Sequence, residues 1–215
     1  MQETILFYPS APYYSQIEDF EQIVDYLDHG KECVNDPYWR KSGAPNKETY
    51  AHWATRSCGV VCIKTCCEAF GGPALPLHQW IQAGLNLDGY LIKENDSDEA
   101  QEIGWKHAAL AELLSQHGFS ATPQSADLDE IIEALQNKKI VIASVSFEIG
   151  TNQPVTGVGG HLVTILGALL NKSQIDHIIL HNPSGRTREL REFAKISKKR
   201  FNQAFSHRVI IAGKE

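Results

Sequence analysis

The hydrophobic pattern of this chain changes period at Lys139, and that change constrains the fold more than any other feature. Ahead of it, apolar residues recur at helical spacing. In "IEDFEQIVDYLDHG" (17–30), Phe20, Ile23, Val24 and Leu27 share a face and Gly30 supplies a stop. The same spacing predicts a short helix over 75–84, an amphipathic helix over 105–119 closed by Gly118, and another over 127–139 capped by Asp127 or Asp129. Behind Lys139 come short β-branched-rich runs: "IVIASVSF" (140–147), "HLVTILGAL" (161–169), "DHIILHN" (176–182) and "HRVIIAG" (207–213). Gly, Pro, Asn and Ser separate them, which is strand punctuation. A helical half followed by a mostly β half predicts an α+β fold, with helices packed on an antiparallel sheet. The 215 residues, 42% of them apolar, suit one domain over 1–215 with a substantial core.

The remaining stretches are read as connections. Thr4 to Gln16 is an extended arm, because Pro9 and Pro12 forbid a helix there. Residues 31–57 are turn-rich and carry Tyr38, Trp39, Tyr50 and Trp53, the profile of a long functional loop or insertion. Residues 85–104 are acidic and irregular. The net charge of −6 comes with dispersed basic residues, and only "KISKKR" (195–200) is locally basic. That run reads as a solvated helix face, so no nucleic-acid partner is expected. The first residues lack the basic start and apolar core of a signal peptide, and no run reaches bilayer length. The expectation is a cytoplasmic protein with no membrane partner. Five cysteines, an odd count without signs of secretion, argue against a disulfide scaffold.

Four of those cysteines crowd into "ATRSCGVVCIKTCCEAFGG" (54–72). A zinc site would pair one hook with a second, and none follows, while His29 with Cys33 is half a hook at a helix end. No metal is therefore expected. On a helix, Val61, Cys62, Thr65, Cys66 and Ala69 share a face opposite Lys64 and Glu68, so Cys62, Cys66 and Cys67 read as buried small hydrophobes. Cys33 reads as structural. Cys58 differs, because polar "TRS" precedes it and it falls where the helix begins. Unpaired N–H groups and the helix dipole favour thiolate there, and thiolate is the nucleophile. Gly59 beside it would let substrate or backbone approach closely. From this segment alone, a reactive Cys58 and a bystander both stand.

A nucleophilic cysteine needs a base and a group that orients the base. His161 opens a strand directly after a glycine-rich loop. The alternative for it is a histidine satisfied at a sheet edge. His52, His78, His107, His117 and His177 fall in loops or on helix surfaces. Asn182 ends an apolar run before Pro183 and could accept from an imidazole N–H, though "NPSG" is also good turn chemistry. His181 should face the other side of its strand. The Cys58 backbone N–H can donate to an oxyanion, and Gln16 is the candidate for a second donor.

Taken in order, "APYYSQ", "SCGVVC", "GGHLVTILG" and "HNPSG" resemble the C39-like cysteine peptidases of the papain-like superfamily, over about residues 5–212. The resemblance implies a papain-like fold with the nucleophile at the start of a central helix. It implies Cys58 as nucleophile, His161 as base, Asn182 as orienting residue and Gln16 as oxyanion donor. The implied activity is hydrolysis of an amide bond in a peptide or protein substrate through an acyl-enzyme, with no cofactor. The family most often has Asp where this chain has Asn182. The gap from Gln16 to Cys58 exceeds the family's usual spacing and suggests an insertion at about 17–57, a lid or specificity element. Three rivals accompany this expectation: acyl transfer on the same scaffold, an inactive peptide-binding module, and a redox or zinc role for the cysteine stripe.

Overall fold

A computed structural model describes residues 2–6, 8–93, 101–172 and 174–214. The chain runs through β1 (Gln2–Leu6), α1 (Ile23–Leu27), α2 (Lys47–Ala54), α3 (Cys58–Ala69), α4 (Leu77–Leu85), β2 (Tyr90–Lys93), β3 (Gln101–Trp105) and α5 (His107–Ser115). It continues through β4 (Phe119–Ser125), α6 (Leu128–Gln136), β5 (Ile140–Val145), β6 (His161–Asn171), β7 (Gln174–His181), β8 (Ala194–Ser197), α7 (Lys198–Ala204) and β9 (Phe205–Lys214). The main sheet has the order β4-β9-β5-β6-β7-β8, and every pairing in it is antiparallel. Strand β6 is long because two strands share one of its edges. β5 takes His161 to Ile165, and β1 takes Gly167 to Asn171.

The run "IVIASV" is buried throughout because both faces of β5 are covered. Ile140 and Ile142 meet α3, α4 and α5, in a core with Ile63, Trp80, Leu110 and Leu162. Val141, Ala143 and Val145 point the other way, into a core with Ile131, Leu135, Val163 and Phe201 from α6, β6 and α7. The α+β reading and the antiparallel sheet are thus borne out, with helices on both faces. Asp127 is the cap of α6: its side chain accepts from Glu130 N at 2.9 Å, and Glu130 returns the bond to Asp127 N.

The cysteine segment forms α3. Cys62, Cys66 and Cys67 are fully buried, as their helical stripe predicts. The polar side of the stripe is buried too, contrary to a simple amphipathic reading. Lys64 donates to Glu68 at 2.5 Å and to Leu75 O at 2.7 Å, and Tyr14 OH donates to Glu68 at 2.7 Å. The helix is central because the N-terminal arm closes over the face that the sheet leaves open.

Other expectations are revised. The helix over 17–30 reduces to a 3-10 turn at Phe20–Gln22 and the five-residue α1. The loop over 31–57 contains α2, started by Asn46, whose side chain accepts from Thr49 N at 2.7 Å. Residues 17–54 gather a small core of their own around Ile17, Ile23, Tyr26 and Tyr50. A fully buried Asp36 ties it together, accepting from Asp19 N at 2.9 Å, from Tyr38 N at 2.8 Å and from Tyr50 OH. The stretch 85–104 holds the β2–β3 hairpin, whose connection, residues 94–100, lies outside the described residues. Strand β4 contains Pro123, which an edge strand tolerates. The basic run 195–200 divides between β8 and α7. It is not one solvated face, since Arg200 donates inward to Glu148 O, Thr151 O and Gln153 O at 2.6 to 2.9 Å.

Candidate active site

Cys58 is the first residue of α3, and His161 is the first residue of β6, the strand on which α3 docks. Both line one cleft of about 780 Å³. Docking explains Gly59. A Cβ there would lie 2.9 Å from methyls of both Leu110 and Leu162, and 3.4 Å from Trp105 Cβ. The glycine serves close approach of side chains from β3, α5 and β6, where the sequence reading offered substrate or backbone. The thiol of Cys58 faces the backbone N–H groups of Leu162, Gly59 and Cys58, which favour thiolate, but burial outweighs them and pushes the thiol up. The helix start acts in the expected direction without prevailing.

The antiparallel register sets Thr164 opposite His181, so the chain beyond β7 runs alongside the start of β6. Asn182 follows directly and is fully buried. Its Oδ1 lies 2.8 Å from His161 Nε2 and accepts from Ser184 N at 3.0 Å. A backbone N–H can only donate, which fixes the amide with oxygen towards the imidazole. Nε2 must then carry the hydrogen of a neutral ring, leaving Nδ1 as the acceptor. Burial foremost, with a smaller push from the Arg186 charge, lowers His161 to about 4. Thiol and imidazole therefore rest as neutral groups.

Two further contacts belong to this network. Ser184 Oγ sits 3.1 Å from His161 Nε2 and 3.3 Å from Asn182 Oδ1, so its hydroxyl can donate to the amide while its oxygen shares the imidazole N–H. Among the described residues, Asn182 Nδ2 has no hydrogen-bond partner, and it is packed against Gly150, where a Cβ would lie 2.7 Å away. Ser184 was missed in the sequence because "NPSG" reads as a turn, yet a hydroxyl two residues past the amide was the available signal. Gly150 carried no signal at all. The loop entering His161 is pinned from the other end. Glu148 accepts from Ser146 Oγ at 2.7 Å and Thr156 N at 2.8 Å, and these bonds with that of the Thr156 hydroxyl hold its carboxyl down at about 2.

Gln16 is buried and tied to the Asn182 turn, its N–H donating to Pro183 O at 3.1 Å. Its side chain lines a separate small cavity with Ser57 and Trp53, and among the described residues its Oε1 has no hydrogen-bond partner. The structure thus brings Cys58 and His161 into the cleft and Asn182 behind His161, and sets Gln16 behind the residue that precedes the nucleophile. Of the 17–57 segment only Thr55 and Arg56 reach the cleft. Its flank is built instead by the hairpin, through Tyr90, Leu91, Ile103 and Trp105. His107 also lines the cleft rather than an uninvolved surface. His181 is structural: its Nε2 donates to Ala11 O at 3.1 Å and its Nδ1 accepts from Phe193 N at 3.0 Å. Among the described residues, no group of three or more His, Cys, Asp or Glu side chains could hold a metal ion.

No family model and no curated protein matches the chain. Solved structures do. A C39-like peptidase from Bacillus anthracis superposes over 99% of this chain and 98% of its own, with a TM-score of 0.59 at 13% identity. The peptidase domain of Streptococcus ComA, a bifunctional ABC transporter involved in quorum sensing, covers 75% of this chain and 93% of its own, with a TM-score of 0.50 at 15% identity. At such identities the likeness is one of fold. The chain has the papain-like fold of C39-like peptidases. Among the described residues, no helix is long and apolar enough to cross a membrane.

Proposed function

We propose that this chain is a cysteine peptidase that hydrolyses an amide bond in a peptide or protein substrate. The observation that carries the proposal is the 2.8 Å contact between His161 Nε2 and Asn182 Oδ1, which leaves Nδ1 as a base in the cleft shared with Cys58. Substrate binding brings an amide carbonyl to the sulfur, and the thiol proton moves to Nδ1 as the sulfur attacks. The Cys58 N–H, with those of the first turn of α3, donates to the oxyanion. A rotation of the Gln16 side chain past Ser57 would add a second donor. The imidazolium, held by Asn182, protonates the leaving amine, which departs and leaves a thioester. Water then attacks the thioester with His161 again as base, releasing the acid and restoring the thiol. No cofactor enters the cycle. In this reading the unit at 17–57 buttresses Gln16 and the helix start instead of covering the cleft, and residues 1–215 work as one domain.

The test is turnover of a mixed peptide library by the wild-type chain, Cys58→Ala and His161→Ala. Loss of cleavage in both variants with unchanged melting temperature is expected, together with a mass increment on Cys58 from a trapped acyl group. Cleavage that persists in Cys58→Ala ends the proposal. Products joined to an added amine would move it to acyl transfer.

A further inference from the structure

Charge in the cleft runs against the charge of the chain. The sequence holds 26 acidic and 20 basic residues, for a net −6. The cleft that contains Cys58 and His161 is nevertheless lined by Arg56, Lys106 and Arg208, and by no Asp or Glu among the described residues. Arg56 is engaged locally, its Nη1 donating to His52 O at 2.8 Å and to Thr55 Oγ1 at 3.2 Å. The side chains of Lys106 and Arg208 are exposed, and among the described residues neither has a hydrogen-bond or ion-pair partner.

Both stand on anchored backbone. Lys106 precedes α5 and donates its N–H to Gly89 O at 2.7 Å, while Arg208 is in β9 opposite Ser125 of β4. They share the cleft with His107. Burial first, and then the Arg208 charge, hold His107 below the ordinary histidine range, so the Arg208 field reaches this wall. Apolar side chains share the cleft, with Leu91 and Ile103 of the hairpin 41% and 50% exposed. Two cations without carboxylate partners repel each other, and in a concave site their potential is focused on whatever enters. His161 and Cys58 rest neutral and need neither of them. The arrangement is explained if the charge is completed by a ligand.

We propose that the substrate is a peptide that brings a carboxylate into the cleft near the scissile amide, with Lys106 and Arg208 as the residues that select it. The carboxylate is an acidic side chain or the free C-terminus, and a neighbouring bulky apolar side chain rests on Leu91 and Ile103. This deepens the peptidase reading and rests on it.

The experiment compares kcat/KM for end-blocked peptides of one sequence that carry Glu or Gln beside the cleaved bond, and for the Gln peptide with a free C-terminus. A preference of about fivefold or more for a carboxylate peptide is expected in the wild-type chain. It should fall about twofold in Lys106→Gln or Arg208→Gln, and approach unity in the double variant and in 1 M salt. The ratio is insensitive to the fraction of folded enzyme, so a destabilised variant still reports. Preference for the Glu peptide assigns a side chain, and preference for the free C-terminus assigns the chain end. A wild-type ratio of one or less, or a ratio unmoved in the double variant, overturns the proposal. Binding to Cys58→Ala separates the two levels. Cleavage that depends on Cys58 but ignores charge leaves the peptidase reading standing and removes the substrate class. Selective binding of the carboxylate peptide, abolished in the double variant, without turnover by the wild-type chain, does the reverse.

Discussion

Gly150→Ala tests whether the position of the Asn182 amide governs the reactivity of His161. The new methyl would lie 2.7 Å from Asn182 Nδ2, 3.2 Å from Gly185 Cα and 3.3 Å from Ser184 O. Ordinary carbon contacts fall at ~3.5–4.0 Å, so the overlap with the amide approaches 1 Å. The amide cannot simply yield, because it is fully buried and its oxygen is held by His161 Nε2 at 2.8 Å and Ser184 N at 3.0 Å. Either the amide rotates and gives up the imidazole, or the 184–185 backbone moves. Overpacking of this kind costs about 1–3 kcal/mol. If the cost falls on the His161 contact, kcat/KM drops by roughly tenfold to a hundredfold, at about 1.4 kcal/mol per decade. The assay is peptide hydrolysis with melting temperature measured in parallel, in a four-member cycle with Asn182→Ala. Alanine at 182 has no Nδ2, so Gly150→Ala should cost little more in that background, with a coupling of about 1–2 kcal/mol. Full activity in Gly150→Ala, or an equal loss in both backgrounds, would refute the reasoning.

Ser184→Ala removes the hydroxyl between imidazole and amide while keeping the backbone N–H that orients Asn182. The expected loss is about fivefold, in kcat more than in KM and with the pH profile of kcat displaced. A change confined to KM would deny Ser184 that role. The third prediction concerns acid stability. His161 titrates near 4 when folded against 6.5 for an ordinary histidine, so between those values the unfolded chain binds more protons. Stability then rises with pH across that window, and acidification from 7 to 4 removes up to roughly 3 kcal/mol through this group. The urea midpoint should fall between pH 7 and 4.5, and less in His161→Gln. Equal falls in the two proteins would contradict the buried neutral imidazole.

What could be read in the sequence follows the range of the interactions involved. The strands that carry His161 and precede Asn182 show as β-branched runs, because both faces of the sheet are buried and their side chains announce it. Asp127 and the glycine stops are local signals and were equally legible. The 17–54 unit was not, because its organising residue is Asp36, which reaches Asp19 and Tyr50 across stretches with no shared periodicity. β4 and β8 escaped for a related reason: as edge strands they tolerate Pro123 and Lys195, which a central strand would exclude.

The same contrast of ranges explains the burial of the candidate site. A cysteine at a helix start requires only local sequence, and "SCGVVC" supplies it. Bringing that helix start and His161 to one cleft requires α3 to dock closely on β6, and Gly59 between Leu110 and Leu162 permits that contact. Close docking desolvates both groups, which is why the thiol is pushed up and the imidazole down despite the N–H groups around the sulfur. The packing that brings both residues to the cleft thus also favours their neutral forms. Ionisation then depends on what enters the cleft, and a carboxylate-bearing substrate held at Lys106 and Arg208 would lower the cost of imidazolium as it binds. The charge ratio measured on Lys106→Gln should then appear in kcat as well as in KM.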